Sequence, residues 1–285
     1  MFIRNDYKSP RMMESEIYYK GSCGRKGEGL SKRRKPTKEE MDQANHRHKV
    51  KELRRTIQLN FTEADHLFTF KPEKNCGWTI RDLQKAWQRF SRKLRTKYKK
   101  AGKELKFIYR LEIGKKGGLH FHMLINEAGI SLNEITEIWK SCGGHNVNVE
   151  PLYDAGGYED LAEYIVKASP SEIKGQITMD SYQLDKLSRY GCSRNLKRPE
   201  PETKVYNRRT VEEIIRYGVK ADDGYYLDKD SVYIGTNPYT GYSYIFYRQY
   251  KIQTAGDLNR ARERIAPVQD MKHLCVDEIR HKGSR

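Results

Sequence analysis

The sequence predicts an α+β fold: an antiparallel sheet with flanking helices, preceded by a basic helix and followed by a tyrosine-rich α/β appendage. Three observations carry that expectation. Short runs alternate apolar and polar residues with period two; longer runs repeat apolar residues with a period near 3.6; and the two kinds follow one another as β-α-β-β-α-β-α between residues 63 and 198. The chain of 285 residues is long enough for one good core and an appendage.

Residues 1–62 read as a basic amino-terminal arm and helix. Residues 20–36 (KGSCGRKGEGLSKRRKP) join glycine to dense positive charge with no apolar period, as a solvated linker or a nucleic-acid-contacting arm does. T-K-E-E at Thr37 is a capping box, and good helix formers run from it to about Leu59. The core, 63–198, opens with HLFTFK (66–71), a strand stopped by Pro72. Thr79 and Asp82 then cap a long helix with an apolar stripe of Ile80, Leu83, Trp87, Phe90 and Leu94, which Gly102 ends. Two strands follow at about 106–113 and 119–125. After them come a helix from Ser131, in the capping box S-L-N-E, to Cys142; a strand, HNVNVE (145–150); and a helix from about Gly157 to Lys167. Pro199 and Pro201 mark a boundary, and 199–285 adds a short helix near 210–217 and the tyrosine-dense hairpin SVYIGTNPYTGYSYIFYRQY.

A formal charge of +17 and a pI near 9.5 make a polyanion the expected partner. Charged residues at 33% and a mean hydropathy of -0.91 argue against a membrane span, and MFIRNDYKSPR resembles no signal peptide, so a cytoplasmic location is expected. Five scattered cysteines without a C-x-x-C read as reduced thiols. There is no P-loop signature, hence no motor domain of that kind is expected.

The chemistry concentrates in GGLHFHMLIN (117–126). Alternate strand residues share a face, so His120, His122 and Leu124 point one way while Leu119, Phe121, Met123 and Ile125 point the other. With GKKGG (114–118) as the hairpin loop, partners have numbers summing to 232, which sets Glu112 opposite His120 and Arg110 opposite His122. Opposed Cβ atoms lie ~4.5–5.5 Å apart, so one carboxylate and two imidazoles can grip one ion. Such a mixed nitrogen and oxygen set suits a divalent metal, Mg²⁺ or Mn²⁺, with coordination positions left open. The same ligand set serves iron oxygenases, but their double-stranded barrel needs more strands than this chain offers. A bare H-x-H also occurs at His46 and His48, in a basic helix where the two rings diverge.

Phosphodiester chemistry at such a site needs a nucleophile. Tyr-x-x-Lys occurs three times, and only Tyr164/Lys167 lies on a helix directly after the last core strand, with both residues on one face.

These elements in order (HLFTF, LHFHMLI, a glutamate eight positions before its first histidine, a helical Tyr-x-x-Lys, then SRNLKRP) resemble the HUH single-strand DNA endonucleases, and most of all the rolling-circle replication initiator (Rep) branch of phages and plasmids. The resemblance covers roughly residues 40–200. It implies a ferredoxin-like or RRM-like sheet, Glu112, His120 and His122 as metal ligands, and Tyr164 as nucleophile with Lys167 beside it. It also implies single-stranded origin DNA as substrate in a bacterial host, a 5′-phosphotyrosine link, a free 3′-OH, and a separate helicase and polymerase as partners. Some phage members carry a second tyrosine one turn ahead of the first, where this chain has Asp160 or Glu163, and single-tyrosine chemistry is therefore expected. A mobilisation relaxase, a single-tyrosine transposase and a non-catalytic DNA-binding regulator are the alternatives.

For DNA contacts the basic face of the long helix, with Arg81, Lys85, Arg89, Arg92 and Lys93, offers the highest charge density, and Arg110 is either a phosphate contact or a sheet-face cation balancing Glu112. His145 reads as a strand-start histidine. Tyr239, Tyr242, Tyr244, Tyr247 and Tyr250 read as strand core or a self-association surface, which would allow an oligomer, before they read as a base-stacking platform.

Overall fold

A computed structural model describes residues 1–21, 36–114, 118–152, 157–167, 190–237 and 241–262. The arm's residues 22–35 and the hairpin-loop lysines Lys115 and Lys116 lie outside them, as does Tyr239. The described residues form two five-stranded antiparallel sheets and six helices, the mixed α+β class that the periodicities predict. They divide into two compact units, Asp42–Arg198 and a second made of Met1–Met41 with Pro199–Arg285. Among them no helix is long and apolar enough to cross a membrane.

The Asp42–Arg198 unit contains most of α1 (Lys38–Asn60), then β3 (His66–Pro72), α2 (Ile80–Lys100), β4 (Phe107–Ile113), β5 (Leu119–Ile125), α3 (Leu132–Lys140), β6 (Gly144–Pro151), α4 (Glu159–Val166) and β7 (Tyr190–Cys192). Its sheet runs β6-β3-β5-β4-β7. The first four of these strands, with α2 and α3, make a β-α-β-β-α-β unit of ferredoxin-like order. The predicted capping boxes are formed at Thr79 with Asp82 and at Ser131 with Glu134, and Thr37 and Glu40 exchange the same pair of bonds before α1.

The sheet has two differently covered faces. Phe68, Phe70, Leu111, Phe121 and Met123 meet Leu83, Phe90, Leu94 and Tyr98 of α2 and Ile135 and Trp139 of α3 in the larger core cluster. On the opposite face, Ile108 and Leu124 meet Val50, Leu53 and Ile57 of α1 and Ala162, Ile165 and Val166 of α4. Each strand then turns polar two residues on, from Leu124 to His122, from Ile108 to Arg110 and from Leu67 to Thr69. The second face is thereby split into an apolar half under two helices and a polar half beside them.

Trp139 is fully buried, donates from Nε1 to the Lys71 carbonyl at 3.0 Å, and packs so close to Gly144 that a Cβ there would overlap the indole. Gly144→Ala is therefore expected to destabilise the unit by at least the ~1–3 kcal/mol usual for overpacking. Urea unfolding would show it as a lower midpoint at unchanged slope; an unchanged midpoint would mean the indole has room to move.

The other unit holds β1 (Phe2–Lys8), β2 (Met12–Tyr19), β8 (Glu202–Tyr206), α5 (Arg208–Tyr217), β9 (Tyr225–Thr236), β10 (Ser243–Lys251) and α6 (Ala255–Arg262), with the sheet ordered β8-β1-β2-β10-β9. Here the structure differs from the expected division into 1–62, 63–198 and 199–285. Residues 2–19 form no arm: β1 pairs with β8, and β2 with β10, nearly the whole chain away. The reason is the buried Arg4, whose guanidinium donates to Asp6, Ser15, Tyr206 and Asp222. Inward charges satisfied by remote partners erase the apolar alternation by which a strand is recognised. Tyr247 is buried in this unit's core and Tyr242 packs against it, as strand-forming core residues.

Candidate active site

The β4–β5 hairpin has the register that the summed numbering predicts: Glu112 opposite His120, Arg110 opposite His122, Leu111 opposite Phe121, closed by Gly114 N–H donating to Gly118 O at 2.8 Å. The polar half of the sheet face thus gathers Glu112, His120 and His122, each offering one ligand atom, all within 4.8 Å of one another. Glu112 Oε2 stands 3.0 Å from His122 Nε2 and 3.6 Å from His120 Nε2.

Second partners orient both rings. His120 Nδ1 lies 3.2 Å from Gly118 O. A carbonyl only accepts, so Nδ1 carries the proton and, in the neutral ring, Nε2 keeps its lone pair toward the carboxylate. His122 Nδ1 lies 3.0 Å from Thr69 Oγ1, a hydroxyl able to accept in the same way. Lone pairs of two nitrogens and a carboxylate facing one point repel unless a proton or a cation stands between them. Ligands about 2.1 Å from an octahedral cation stand about 3 Å apart at right angles, close to the spacings found, so the donor set fits a small divalent ion. The Glu112 carboxyl is held well below the usual carboxylate range by His120 and His122, against the opposing effect of burial, which keeps it anionic.

Over this cluster leans Tyr164. Its O–H donates to Glu112 Oε2 at 3.0 Å and its oxygen lies 2.6 Å from His122 Nε2; the two rings meet edge to face at 5.0 Å. The phenol is 38% exposed, open to a substrate from one side. Burial, then the Glu112 charge, push its pKa above the ordinary phenol range, so the side chain is a neutral donor. A divalent charge at the cluster opposes both causes.

Helix α4 is fixed from two sides. From α1, Arg54 donates to Glu159 at 3.0 Å, Gln58 to the Gly157 carbonyl at 2.9 Å, and His46 Nε2 lies 2.8 Å from Glu163 Oε1. From the sheet, Arg110 donates to the carbonyls of Tyr164 and Ile165 at 3.2 and 2.8 Å. A helix leaves its last carbonyls unpaired and its C-terminus partially negative, and a guanidinium answers both.

That placement corrects one expectation. Arg110 is 4% exposed and spent on α4, so it serves as the positioning residue of the Tyr164 helix and is not set to meet a surface phosphate. The basic helix face is not brought to the site either. Arg81, Lys85, Arg89, Arg92 and Lys93 belong to α2, on the sheet face away from Glu112, and Arg89 and Lys93 donate to Cys142 and Ser141 just beyond α3. Lys167 caps the C-terminus of α4 with non-helical backbone and is exposed, and no hydrogen bond or ion pair joins it to Glu112, His120, His122 or Tyr164. The i and i+3 argument assumed one more helical residue. His145 is exposed and outside the cluster, and Tyr158, at 5% exposure, sits in the core beneath α4. Gly118 and Thr69, which orient the two rings, were not picked out from the sequence. The register pairing Thr69 with His122 comes from β3, more than 50 residues away.

Fold and site together define a class, a ferredoxin-like sheet with a carboxylate and two imidazoles converging beneath a helix-borne phenol. Residues 65–169 match the model of a replication-associated protein family, that of ORF2, over a span that runs from β3 through α4 and includes Glu112, His120, His122, Tyr164 and Lys167. That likeness supports a replication-initiator role. No curated protein and no solved structure matches the chain.

Proposed function

We propose that the protein initiates rolling-circle replication by nicking single-stranded origin DNA with Tyr164. The observation that carries this reading is the phenol held within hydrogen-bond distance of both Glu112 and His122; the replication-associated family match supports it. Mg²⁺ or Mn²⁺ would be held by Glu112 Oε2 and by Nε2 of His120 and His122, and when bound supplies Lewis-acid charge to a phosphate oxygen.

The chain's own residues do the rest. Arg110 and the α1 contacts keep Tyr164 aimed from one side of the sheet face, so that its oxygen attacks phosphorus in line. As the new P–O bond forms, the bond to the 3′ oxygen breaks, the phenolic proton passes toward Glu112, and the departing oxygen takes up a proton to become a 3′-OH that a polymerase can extend. Lys167, one turn on, is assigned to the charge of the phosphotyrosine product, which it reaches by motion of its exposed chain. With Tyr158 buried, the chemistry uses one tyrosine. Strand separation is assigned to a separate helicase, since the chain has no P-loop.

The test is direct. A 3′-end-labelled single-stranded oligonucleotide pool incubated with the protein and Mn²⁺ is expected to give an SDS-resistant labelled adduct, while a 5′-end label is released on a fragment with an extendable 3′-OH. EDTA is expected to abolish both products and added Mn²⁺ to restore them. Retention of the 5′ label in the adduct, or no adduct on any strand, would overturn the proposal.

A further inference from the structure

A second place in the Asp42–Arg198 unit concentrates charge without using it. At the end of β4 remote from Glu112 is a cleft of about 810 Å³, lined by Arg95 and Lys99 from α2, Lys103 from the following turn, and Arg194 from the segment after β7. One carboxylate, Glu104, faces these four cations, and its Oε2 accepts from Asn195 Nδ2 at 3.3 Å. All four cations are exposed, and among the described residues none has an ion-pair partner, whereas neighbouring Lys97 is paired with Glu134 at 2.5 Å. The C-terminal dipole of α2 accounts for Lys99. It does not account for Lys103 and Arg194, which come from other segments to the same hollow.

We infer that this cleft binds the sugar–phosphate backbone of the DNA strand outside the scissile phosphate. Unpaired cations from three segments around one concavity suit a chain of phosphates, which such groups hold by position and charge. The lining argues against recognition of a base or a nucleotide ring. Its aromatic residue, Phe107, is 4% exposed and offers no stacking face. Phe107 also sets the scale. Glu112 lies five residues along the same strand, about 17 Å at ~3.3–3.4 Å per residue, which a strand stacked at 3.4 Å per nucleotide covers in about five nucleotides. The inference rests on the reading of Tyr164 as a DNA nucleophile only for the identity of the strand.

The experiment compares two triple variants of the full chain, all at exposed positions: K99E/K103E/R194E in the cleft, and R81E/K85E/R92E on α2 outside it. Fluorescence polarisation of a labelled single-stranded 30-mer is measured against salt. The cleft variant is expected to bind at least about tenfold more weakly at physiological salt, with the log–log salt slope reduced by about 2, three contacts at roughly 0.7 each on a single strand. The α2 variant should stay within about threefold of wild type. Adduct formation by the cleft variant is expected to survive at saturating DNA, because Tyr164 and its cluster are untouched. Equal losses in the two variants would reduce the cleft to general charge, and an unchanged cleft variant would also overturn it. Displacement of the wild-type complex by micromolar sodium triphosphate would make the occupant a small polyphosphate and refute the backbone assignment. If wild type binds DNA but forms no adduct, the nucleophile reading fails while the affinity comparison still decides the cleft.

Discussion

Tyr164→Phe is expected to eliminate the SDS-resistant adduct, a loss on the order of 10³-fold or more as for removal of a covalent nucleophile, while binding of single-stranded DNA stays within a few-fold of wild type. The substitution removes one oxygen and keeps the ring. What is lost is the donation to Glu112 and the contact with His122 Nε2; the edge-to-face packing on His122 remains available to phenylalanine. At 38% exposure the position has little part in the core, so the fold is not at risk. No neighbouring phenol can replace it. Tyr158 opens α4 in a left-handed conformation (φ 63°) with its ring buried against Ile108 and Leu124 in the core cluster, and moving it out would dismantle the packing that seats α4. Peptide mapping of the wild-type adduct provides the complement, with the modified peptide expected to contain Tyr164. An adduct that persists in the phenylalanine variant would transfer the nucleophile to another residue and separate the cluster from the chemistry.

Much of this site was legible because a hairpin is local. A turn of known length fixes the pairing of every residue within it, and only one register leaves Leu111, Phe121 and Met123 on a wholly apolar face. The position of Tyr164 over that hairpin was less constrained. It depended on α4 lying on the same face as the imidazoles, which is settled by Ile165 and Val166 packing with α1 and by Arg110 reaching α4's last carbonyls. Helical spacing shows which side of α2 is basic. It does not show that Ser141 and Cys142, some 50 residues on, supply the carbonyls against which Arg89 and Lys93 rest, nor that the basic side lies across the sheet from the nucleophile. The β1–β2 hairpin was hidden for a related reason. Asp6, Glu14 and Arg4 are almost fully buried within it, and burial of charge becomes readable only when the partners are known. For Arg4 these include Tyr206 and Asp222. In each case the missing information was a contact remote in sequence, while periodicity and capping, which are short-ranged, located the segments themselves.

Glu112→Gln is expected to weaken Mn²⁺ binding by at least about 100-fold, since altering even an outer partner of a metal ligand costs about 10–100-fold, and adduct formation should fall with it. The amide has the shape of the carboxylate, so the hairpin register and the packing of Leu111 and Phe121 are unaffected; what disappears is the negative charge that draws a cation between His120 and His122. Isothermal titration with Mn²⁺ gives the affinity, and adduct yield against metal concentration shows whether excess metal restores activity. Equal Mn²⁺ affinity in both proteins would mean that the cluster is a hydrogen-bonded structural feature and that the ion is held elsewhere. A metal-free comparison in EDTA isolates the carboxylate itself. Its pKa is lowered in the folded protein, so its contribution to stability is complete above the unfolded value of about 4.3 and is lost as pH falls through the folded value. The difference in urea midpoint between wild type and Glu112→Gln should therefore hold steady while Glu112 is ionised in both states and narrow once the pH drops below about 4. A difference that widened in acid would show that His120 and His122 do not favour the ionised carboxylate, and with that the electrostatic reason for placing a cation among the three groups would be gone.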